Sequence, residues 1–109
     1  MKLQEITEET RILALQKGCD LCKPVDTSYN NHYIYFDGII FQSLLEKWLR
    51  DNHKICILPY PIYEEGVFLH WALLMKDHET FSIHGKTFDI YEDAIECGLQ
   101  ECLKLINKI

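Results

Sequence analysis

The feature that most constrains the fold of this chain is the apolar stripe within residues 88–106, FDIYEDAIECGLQECLKLI. Its apolar residues recur every three or four positions, which places them on one face of an α-helix. The stripe consists of Tyr91, Ala94, Ile95, Gly98, Leu99, Cys102, Leu103 and Ile106. Asp89 is in position to cap this helix, with Glu92 as its reciprocal partner. Gly98 costs about 1 kcal/mol of helix propensity relative to alanine, so we expect another element to approach the helix closely there.

Residues 66–76, GVFLHWALLMK, form the longest predicted strand. Alternate residues of a strand point to opposite faces, and both faces are mostly apolar here. One face carries Val67, Leu69, Trp71, Leu73 and Met75, and the other carries Phe68, His70, Ala72 and Leu74. We therefore expect this strand to be central in a small sheet. Its predicted neighbours are residues 55–58, which Pro59 and Pro61 should end, and residues 81–85.

Two more helices are predicted in the first half of the chain. Thr7 can cap a helix that runs to Lys17, after which Gly18 supplies the left-handed residue that ends it. Residues 41–52 show a second helical period. Residues 19–36 lack a period and are predicted to be loop, except for a strand at 32–36. The sequence thus predicts a single domain over residues 1–109 with an α+β, two-layer fold, in which a small antiparallel sheet of about three strands packs against three helices.

Charge and composition limit the classes of partner. The 109-residue chain is 48% hydrophobic and carries a formal net charge of -6. Its lysines and arginines are scattered, so we expect no nucleic-acid binding. No apolar run approaches the roughly 20 residues of a membrane span, so we expect no membrane association. Five cysteines are an odd number, which favours reduced thiols in the cytoplasm. We expect no cofactor.

A Cys-x-x-Cys pair follows the first predicted helix, in the segment KGCDLCKP at residues 17–24. A structural zinc site needs four converging ligands. Cys97 and Cys102 cannot supply the second pair, because five residues on a helix place them about 140° apart. A thioredoxin-type dithiol lies at a helix N-terminus, whereas this pair follows a helix C-terminus. We expect Cys19 to pack in the core and Cys22 to be the more exposed, and a zinc-stabilised small domain stays open as an alternative with no metal ligands assigned.

A second alternative is catalytic. The segment HWALLMKDHETFSIH, residues 70–84, resembles the strand-turn-strand of the NlpC/P60-like thiol hydrolases and acyltransferases. The resemblance implies His70 as the catalytic base, His84 or a nearby polar group as the residue that orients it, and a downstream cysteine as the nucleophile. The nucleophile of those enzymes opens a helix, whereas Cys97 falls in mid-helix on the polar face and Cys102 falls in the apolar stripe.

A wider resemblance covers the chain from the first helix to the end. The segments FQSLLEKWLRDNHKICI (41–57) and FDIYEDAIECGLQECLKLI (88–106) resemble a group of short uncharacterised proteins from bacteria and their phages or mobile elements. Those proteins carry a helix close to LLxKWLRExH and a C-terminal helix close to YEEALEaGLxEALKLI. The resemblance implies an α+β fold and no known activity. Cys19 stands where those relatives carry phenylalanine, and Cys97 and Cys102 stand where they carry alanine.

The predicted function is that of a non-enzymatic protein-interaction or accessory module. Polar and aromatic residues gather in two segments that the core does not need, which is typical of recognition surfaces. The predicted binding residues are Tyr29, Asn31 and His32 in one segment, and Tyr60, Tyr63, Glu64 and Glu65 in the other. We expect the two segments to lie close together and to bind a protein partner, with a homodimer as one form of it. The alternative is that these tyrosines roof the sheet.

Overall fold

The computed structural model describes residues 3–29, 32–76, 79–82 and 87–106. Its helices are α1 (Glu8–Gln16), α2 (Gln42–His53) and α3 (Tyr91–Lys104), and a short 3-10 turn spans Asp20–Cys22. Its strands are β1 (Val25–Tyr29), β2 (His32–Phe36), β3 (Ile55–Glu64), β4 (Val67–Lys76) and β5 (Glu79–Ser82). They form two antiparallel sheets, β1-β2 and β3-β4-β5. The predicted α+β fold is confirmed, and β4 is the central strand of the larger sheet.

Helix α3 carries the predicted apolar stripe into the core. Its buried residues are Ala94, Ile95, Gly98, Leu99, Cys102 and Leu103, whereas Tyr91 at the start of the stripe is 44% exposed. The prediction that Asp89 caps the helix is wrong, because the cap position is Ile90 and no side chain caps it. Phe88 pairs with His70 as an isolated β-bridge, the chain bends at Asp89, and Ile90 has an extended backbone before the helix begins.

Gly98 marks the close approach that the sequence predicts. A Cβ atom at this position would lie 3.2 Å from Ile57 Cγ2 and 3.5 Å from Ala72 Cβ. Ile57 belongs to β3 and Ala72 to β4, so α3 lies across both strands. The loss of helix propensity at Gly98 is therefore offset by closer packing of α3 on the sheet.

A polar network joins the three helices beside this core. The Glu96 carboxylate of α3 accepts hydrogen bonds from the Thr7 N–H and the Thr7 hydroxyl, both at 3.1 Å, and from the Thr10 hydroxyl. The Gln42 amide of α2 donates to the same carboxylate at 2.8 Å. Gln100 donates to the Thr10 hydroxyl at 3.0 Å. Glu96 thus accepts hydrogen bonds both from the N-terminal residues of α1 and from the side-chain amide of the buried Gln42.

The predicted ends of α1 and α2 hold to within a residue. Thr7 caps α1 by accepting from the Thr10 N–H at 3.3 Å, and Gly18 takes the left-handed φ of +92° that follows the helix. Helix α2 buries Leu45 and Leu49 and ends at Lys54, which has a left-handed φ of 57°. A side-chain cap thus fixes the start of α1, whereas α2 begins after Phe41 without one.

The prediction that the prolines end β3 is wrong, because β3 continues to Glu64. The His70 N–H donates to the Phe88 carbonyl at 2.8 Å, and the Phe88 N–H donates to the His70 carbonyl at 2.9 Å. Both polar groups of His70 therefore point away from β3, so its partner Pro61 turns its nitrogen toward the free edge of the sheet. Pro59 lies two residues earlier and has the same orientation. Neither proline removes a hydrogen bond from the ladder.

The prediction that residues 19–31 are loop is also wrong for Val25–Tyr29, which pairs with His32–Phe36 over five residue pairs. Val25, Tyr35 and Phe36 of this hairpin are exposed, so the periodic burial that marks a core strand is absent at these described positions. Among the described elements, β1 and β2 contact only one another. The radius of gyration is 15.8 Å, against about 13 Å for a compact domain of this length.

Candidate functional site

The outer half of the β3–β4 hairpin extends beyond the helices and is the most apolar exposed part of the described chain. We call residues 58–68 the arm. At its base Ile57 and Ala72 are buried, whereas no residue of the arm is buried. Five large apolar side chains of the arm are exposed: Leu58 40%, Tyr60 55%, Tyr63 66%, Val67 52% and Phe68 63%.

A two-residue turn closes the arm. Glu65 and Gly66 both have a positive φ, of 50° and 80°, as in a type I′ turn, whose twist matches that of the strands. The turn fixes the register, in which Glu64 pairs with Val67 and Tyr60 pairs with Trp71. Because paired residues of an antiparallel ladder share a face, the register also fixes which side chains lie together.

One face of the sheet packs on α3 and the other does not. The face of Ile57, Ala72 and Leu74 is buried under α3 at the base of the hairpin. On the opposite face of β3 and β4 no side chain is buried, and we call this the open sheet face. Its apolar members are Cys56, Leu58, Tyr60, Ile62, Val67, Leu69, Trp71, Leu73 and Met75. Along β3 and β4 these described residues therefore form a continuous apolar surface with no buried side chain.

The open sheet face carries almost no charge. Glu64 at the tip is its one charged residue among the described positions of β3 and β4. Lys54, which is exposed, stands just before β3 at the opposite end. The ten residue steps from Lys54 to Glu64 span about 33 Å of extended chain. The face is thus an apolar strip with Glu64 at its tip, and Lys54 precedes β3 at its base.

The free edge of β3 cannot accept another strand along the arm. Pro59 and Pro61 have no N–H to offer on the side that faces solvent. An incoming strand would lose two consecutive hydrogen bonds from that side, and prolines of this kind protect natural sheet edges. Recognition by the arm therefore depends on its side chains rather than on strand addition.

An aromatic pair lies near the tip of the arm, on the same face of the sheet that α3 covers at the base. The rings of Tyr63 and Phe68 meet edge to face, with centroids 4.9 Å apart and an interplanar angle of 62°. Such a pair contributes about 0.5–1.5 kcal/mol beyond the area it buries. It braces the two strands near the tip, where no helix supports them.

The predicted binding residues fall on two separate hairpins. Tyr60, Tyr63, Glu64 and Glu65 all lie on the arm and are exposed. Tyr29 ends β1 and His32 begins β2, where His32 is exposed, while Asn31 lies outside the described residues. The described strands of the two hairpins make no contact with one another. Tyr60 lies on the open sheet face and Tyr63 on the other face of the arm.

Five further apolar residues of the open sheet face are not among the predicted binding residues: Leu58, Val67, Leu69, Leu73 and Met75. All but Leu58 belong to residues 66–76, where both faces of the strand are apolar. That pattern predicts a central strand of a two-layer fold. In a two-layer fold the helices cover one face of the sheet, and the other face of a central strand stays exposed.

The Cys-x-x-Cys pair is buried, and the prediction that Cys22 is the more exposed is wrong. Cys19 and Cys22 are both fully buried. The 3-10 turn folds Cys22 beneath Gly38, where a Cβ would collide with the Cys22 carbonyl oxygen, and Arg11 Nη1 donates to that oxygen at 3.1 Å. A hydrogen bond from the Cys22 thiol lowers the pKa of Cys19, and the same bond together with burial raises the pKa of Cys22. The pair is a packed, inward-facing dithiol.

Metal ligation finds no further support in the described residues. Within those ranges, no group of three or more histidine, cysteine, aspartate or glutamate side chains is arranged to hold a metal ion. Cys19 and Cys22 thus have no described third ligand beside them. Zinc in a structural site is held by four.

The geometry around His70 is that of a packed residue. Its ring meets Tyr91 edge to face with centroids 5.7 Å apart, and its backbone pairs with Phe88. Cys102 is fully buried, and burial raises its pKa to about 12, which disfavours the nucleophilic thiolate. Cys97 is half-buried and packs against the core rather than lying on an exposed polar face. His84 lies outside the described residues.

A groove of about 340 Å³ lies between the starts of α2 and α3. Burial raises the pKa of Glu46 on its wall, and burial beside Glu46 and Glu92 raises the pKa of Tyr91. The groove is thus apolar in part and acidic, with no described cationic side chain in its lining. Its lining residues are Leu3, Gln4, Gln42, Ser43, Glu46, Tyr91, Glu92 and Ile95.

In the described part of the chain, no helix has the length and apolar character needed to cross a membrane. In comparisons with known proteins, the chain matches no protein-family model, no curated protein and no solved structure.

Proposed function

We propose that this protein is a non-enzymatic interaction module that binds a protein partner through the open sheet face. The observation that carries the proposal is the one-sided layering of the larger sheet. Its α3 side is buried at the base, whereas its other side is apolar along two ten-residue strands and has no buried side chain. Contiguous apolar patches beyond a few hundred Å² on a protein surface mark interaction sites.

The composition of the face supports a protein partner. Tyr60 and Trp71 form a cross-strand pair near the middle of the hairpin, and tyrosine and tryptophan are the residue types enriched in binding hot spots. Leu58 and Val67 extend the apolar surface on either side, and Glu64 lies at its end. A central aromatic and aliphatic area with charges at its ends has the anatomy of a protein interface.

Charge argues against a nucleic-acid partner. The face offers no lysine or arginine along β3 and β4 between Lys54 and Lys76. Glu64 and Glu65 at the tip of the arm would repel phosphate, and the formal net charge is -6. Nucleic-acid binding depends on neutralising phosphates with basic side chains. The proposal therefore includes protein but neither nucleic acid, membrane nor cofactor.

We place this role in the cytoplasm. The sequence has five cysteines, and three of them, Cys19, Cys22 and Cys102, are fully buried thiols outside any disulfide. Buried free thiols in an odd total favour a reducing compartment. An interaction role without catalysis also agrees with the resemblance to short bacterial and phage proteins of no known activity.

Site-specific photo-crosslinking in cells tests the proposal. A photoreactive phenylalanine analogue replaces Tyr60 on the open sheet face, and the matched control replaces Tyr35 on the other hairpin. The two tyrosines are similarly exposed, at 55% and 61%. We expect a discrete crosslinked protein product from position 60 and none from position 35. Equal crosslinking at both positions, or none at position 60, would contradict the proposal.

A further inference from the structure

We infer that the partner of the open sheet face is a second copy of this chain. The inference rests on the proposed function, and it specifies both the partner and its orientation. In the dimer the two open sheet faces pack against each other, with the tip of each arm over the base of the other. A two-fold axis runs through the interface perpendicular to the strands, near Pro59.

The area of the face agrees with a dimer of moderate stability. The two ten-residue strands β3 and β4 span about 33 Å by 10 Å, and the four residues of β5 widen the sheet only at its base, so one face covers roughly 380 Å² in projection. Two faces packed in the manner of a β-sandwich, about 10 Å apart, would remove on the order of 1,000 Å² from solvent once side-chain relief is included. That is the lower limit for a specific interface, and we expect a concentration-dependent dimer.

The placement of charge selects the orientation. Lys54 and Glu64 stand at the two ends of β3, five residues on either side of Pro59. A two-fold axis near Pro59 brings Lys54 of each copy beside Glu64 of the other, so the contact occurs twice. The arrangement with tip over tip would instead place Glu64 against Glu64. Like charges at an interface are unfavourable and exclude the wrong register.

Along the arm, two copies can associate by packing their sheet faces together but not by pairing their strand edges. Pro59 and Pro61 prevent a second copy from adding as a strand beside β3. Face-to-face packing needs no backbone donor, and it uses the side chains that the fold leaves uncovered. Tyr60 and Leu58 lie closest to the inferred axis, so each would meet its own symmetry mate or a near neighbour.

Sedimentation velocity across a concentration series tests the dimer. We expect the wild type to shift from monomer to dimer between about 1 and 200 μM, the range of a moderate interface. Tyr60→Asp should weaken the dimer at least tenfold, and Tyr35→Asp should leave it unchanged. A wild type that stays monomeric over this range, or equal effects of the two substitutions, would overturn the inference.

A charge-swap series tests the orientation. Glu64→Lys should weaken the dimer several-fold, because it places two lysines side by side at each end. The double variant Lys54→Glu/Glu64→Lys should restore most of the wild-type affinity. Failure of the double variant to restore it would overturn the tip-over-base arrangement. All these positions are exposed, and urea denaturation of each variant verifies that its fold is retained.

The dimer and the proposed function fail in different ways. A monomeric wild type whose position 60 crosslinks to a different protein would overturn the dimer alone. A monomeric wild type without any crosslink at position 60 would overturn both. A crosslinked product with twice the mass of the chain supports both.

Discussion

Gly98 of α3 lies directly against Ile57 of β3, and a Cβ atom added at Gly98 would lie only 3.2 Å from the Ile57 Cγ2 atom. Valine at this position would bring further methyl groups into an occupied volume. We expect Gly98→Val to lower the free energy of unfolding by about 2 kcal/mol, as overpacked cores do, in urea denaturation. Asp93→Val, at an exposed position of the same helix, is the control for helix propensity. Equal stability of the two variants would mean that α3 does not pack closely on the sheet.

The Glu96 carboxylate is the acceptor that joins α1 and α2 to α3. Glu96→Gln replaces one acceptor oxygen with an NH₂ group that faces donors from Thr7, Thr10 or Gln42. Because a buried donor left without an acceptor costs about 1–3 kcal/mol, we expect a loss of stability in that range. Glu9→Gln is the control, since Glu9 is exposed in the first turn of α1. A loss no larger than that of the control would show that the network contributes nothing to stability.

Because the Cys102 thiol is buried, we expect the protein to lose stability at alkaline pH. Burial raises its pKa to about 12 in the folded protein, against about 8.5 for an unfolded chain. The unfolded state releases this proton first, so the contribution of Cys102 to stability is present below about pH 8.5 and is lost as the pH rises toward 12. We expect urea midpoints to fall more between about pH 8 and 10.5 in the wild type than in Cys102→Ala. Parallel pH dependences would contradict the burial of this thiol.

Gly38 and Gly18 form a matched pair for the Cys-x-x-Cys turn. Both have a positive φ, of +85° and +92°. A Cβ at Gly38 would collide with the Cys22 carbonyl, whereas a Cβ at Gly18 would have no neighbouring atom within 4 Å. Gly18→Ala should cost about 1–2 kcal/mol for the left-handed backbone alone. Gly38→Ala should cost more and should expose the Cys22 thiol. Iodoacetamide labelling under native conditions should therefore be faster for Cys22 in Gly38→Ala only. Rapid labelling of Cys22 in the wild type would contradict its burial.

The helices could be predicted from the sequence because each is determined by residues that are close together in the chain. The stripe through Leu99 and Leu103 and the hydroxyl of Thr7 depend on neighbours within one or two turns. The strands could be predicted less well, since their limits depend on residues far away. Whether Pro61 ends β3 is decided by the direction of the His70 backbone groups on β4, and no spacing in the sequence reveals that direction.

The open sheet face illustrates the same limit for function. Alternation in residues 66–76 shows that both faces of β4 are apolar, but only the packing of α3 shows which face is covered. Tyr60, Tyr63, Glu64 and Glu65 were identified from their residue types. Leu58 and Val67 lacked such a signal, because isolated aliphatic residues in a strand are typical of cores.

The most direct test of the account is hydroxyl-radical footprinting of the native complex that the protein forms. The complex, isolated from its own cells, is compared with the dilute purified chain, and oxidation of Tyr60, Tyr63 and Tyr35 is measured by mass spectrometry. We expect Tyr60, on the open sheet face, to become strongly protected in the complex and Tyr35 to remain as accessible as in the purified chain. Unchanged oxidation of Tyr60 together with protection of Tyr35 would contradict the claim that the open sheet face is the surface that this protein uses.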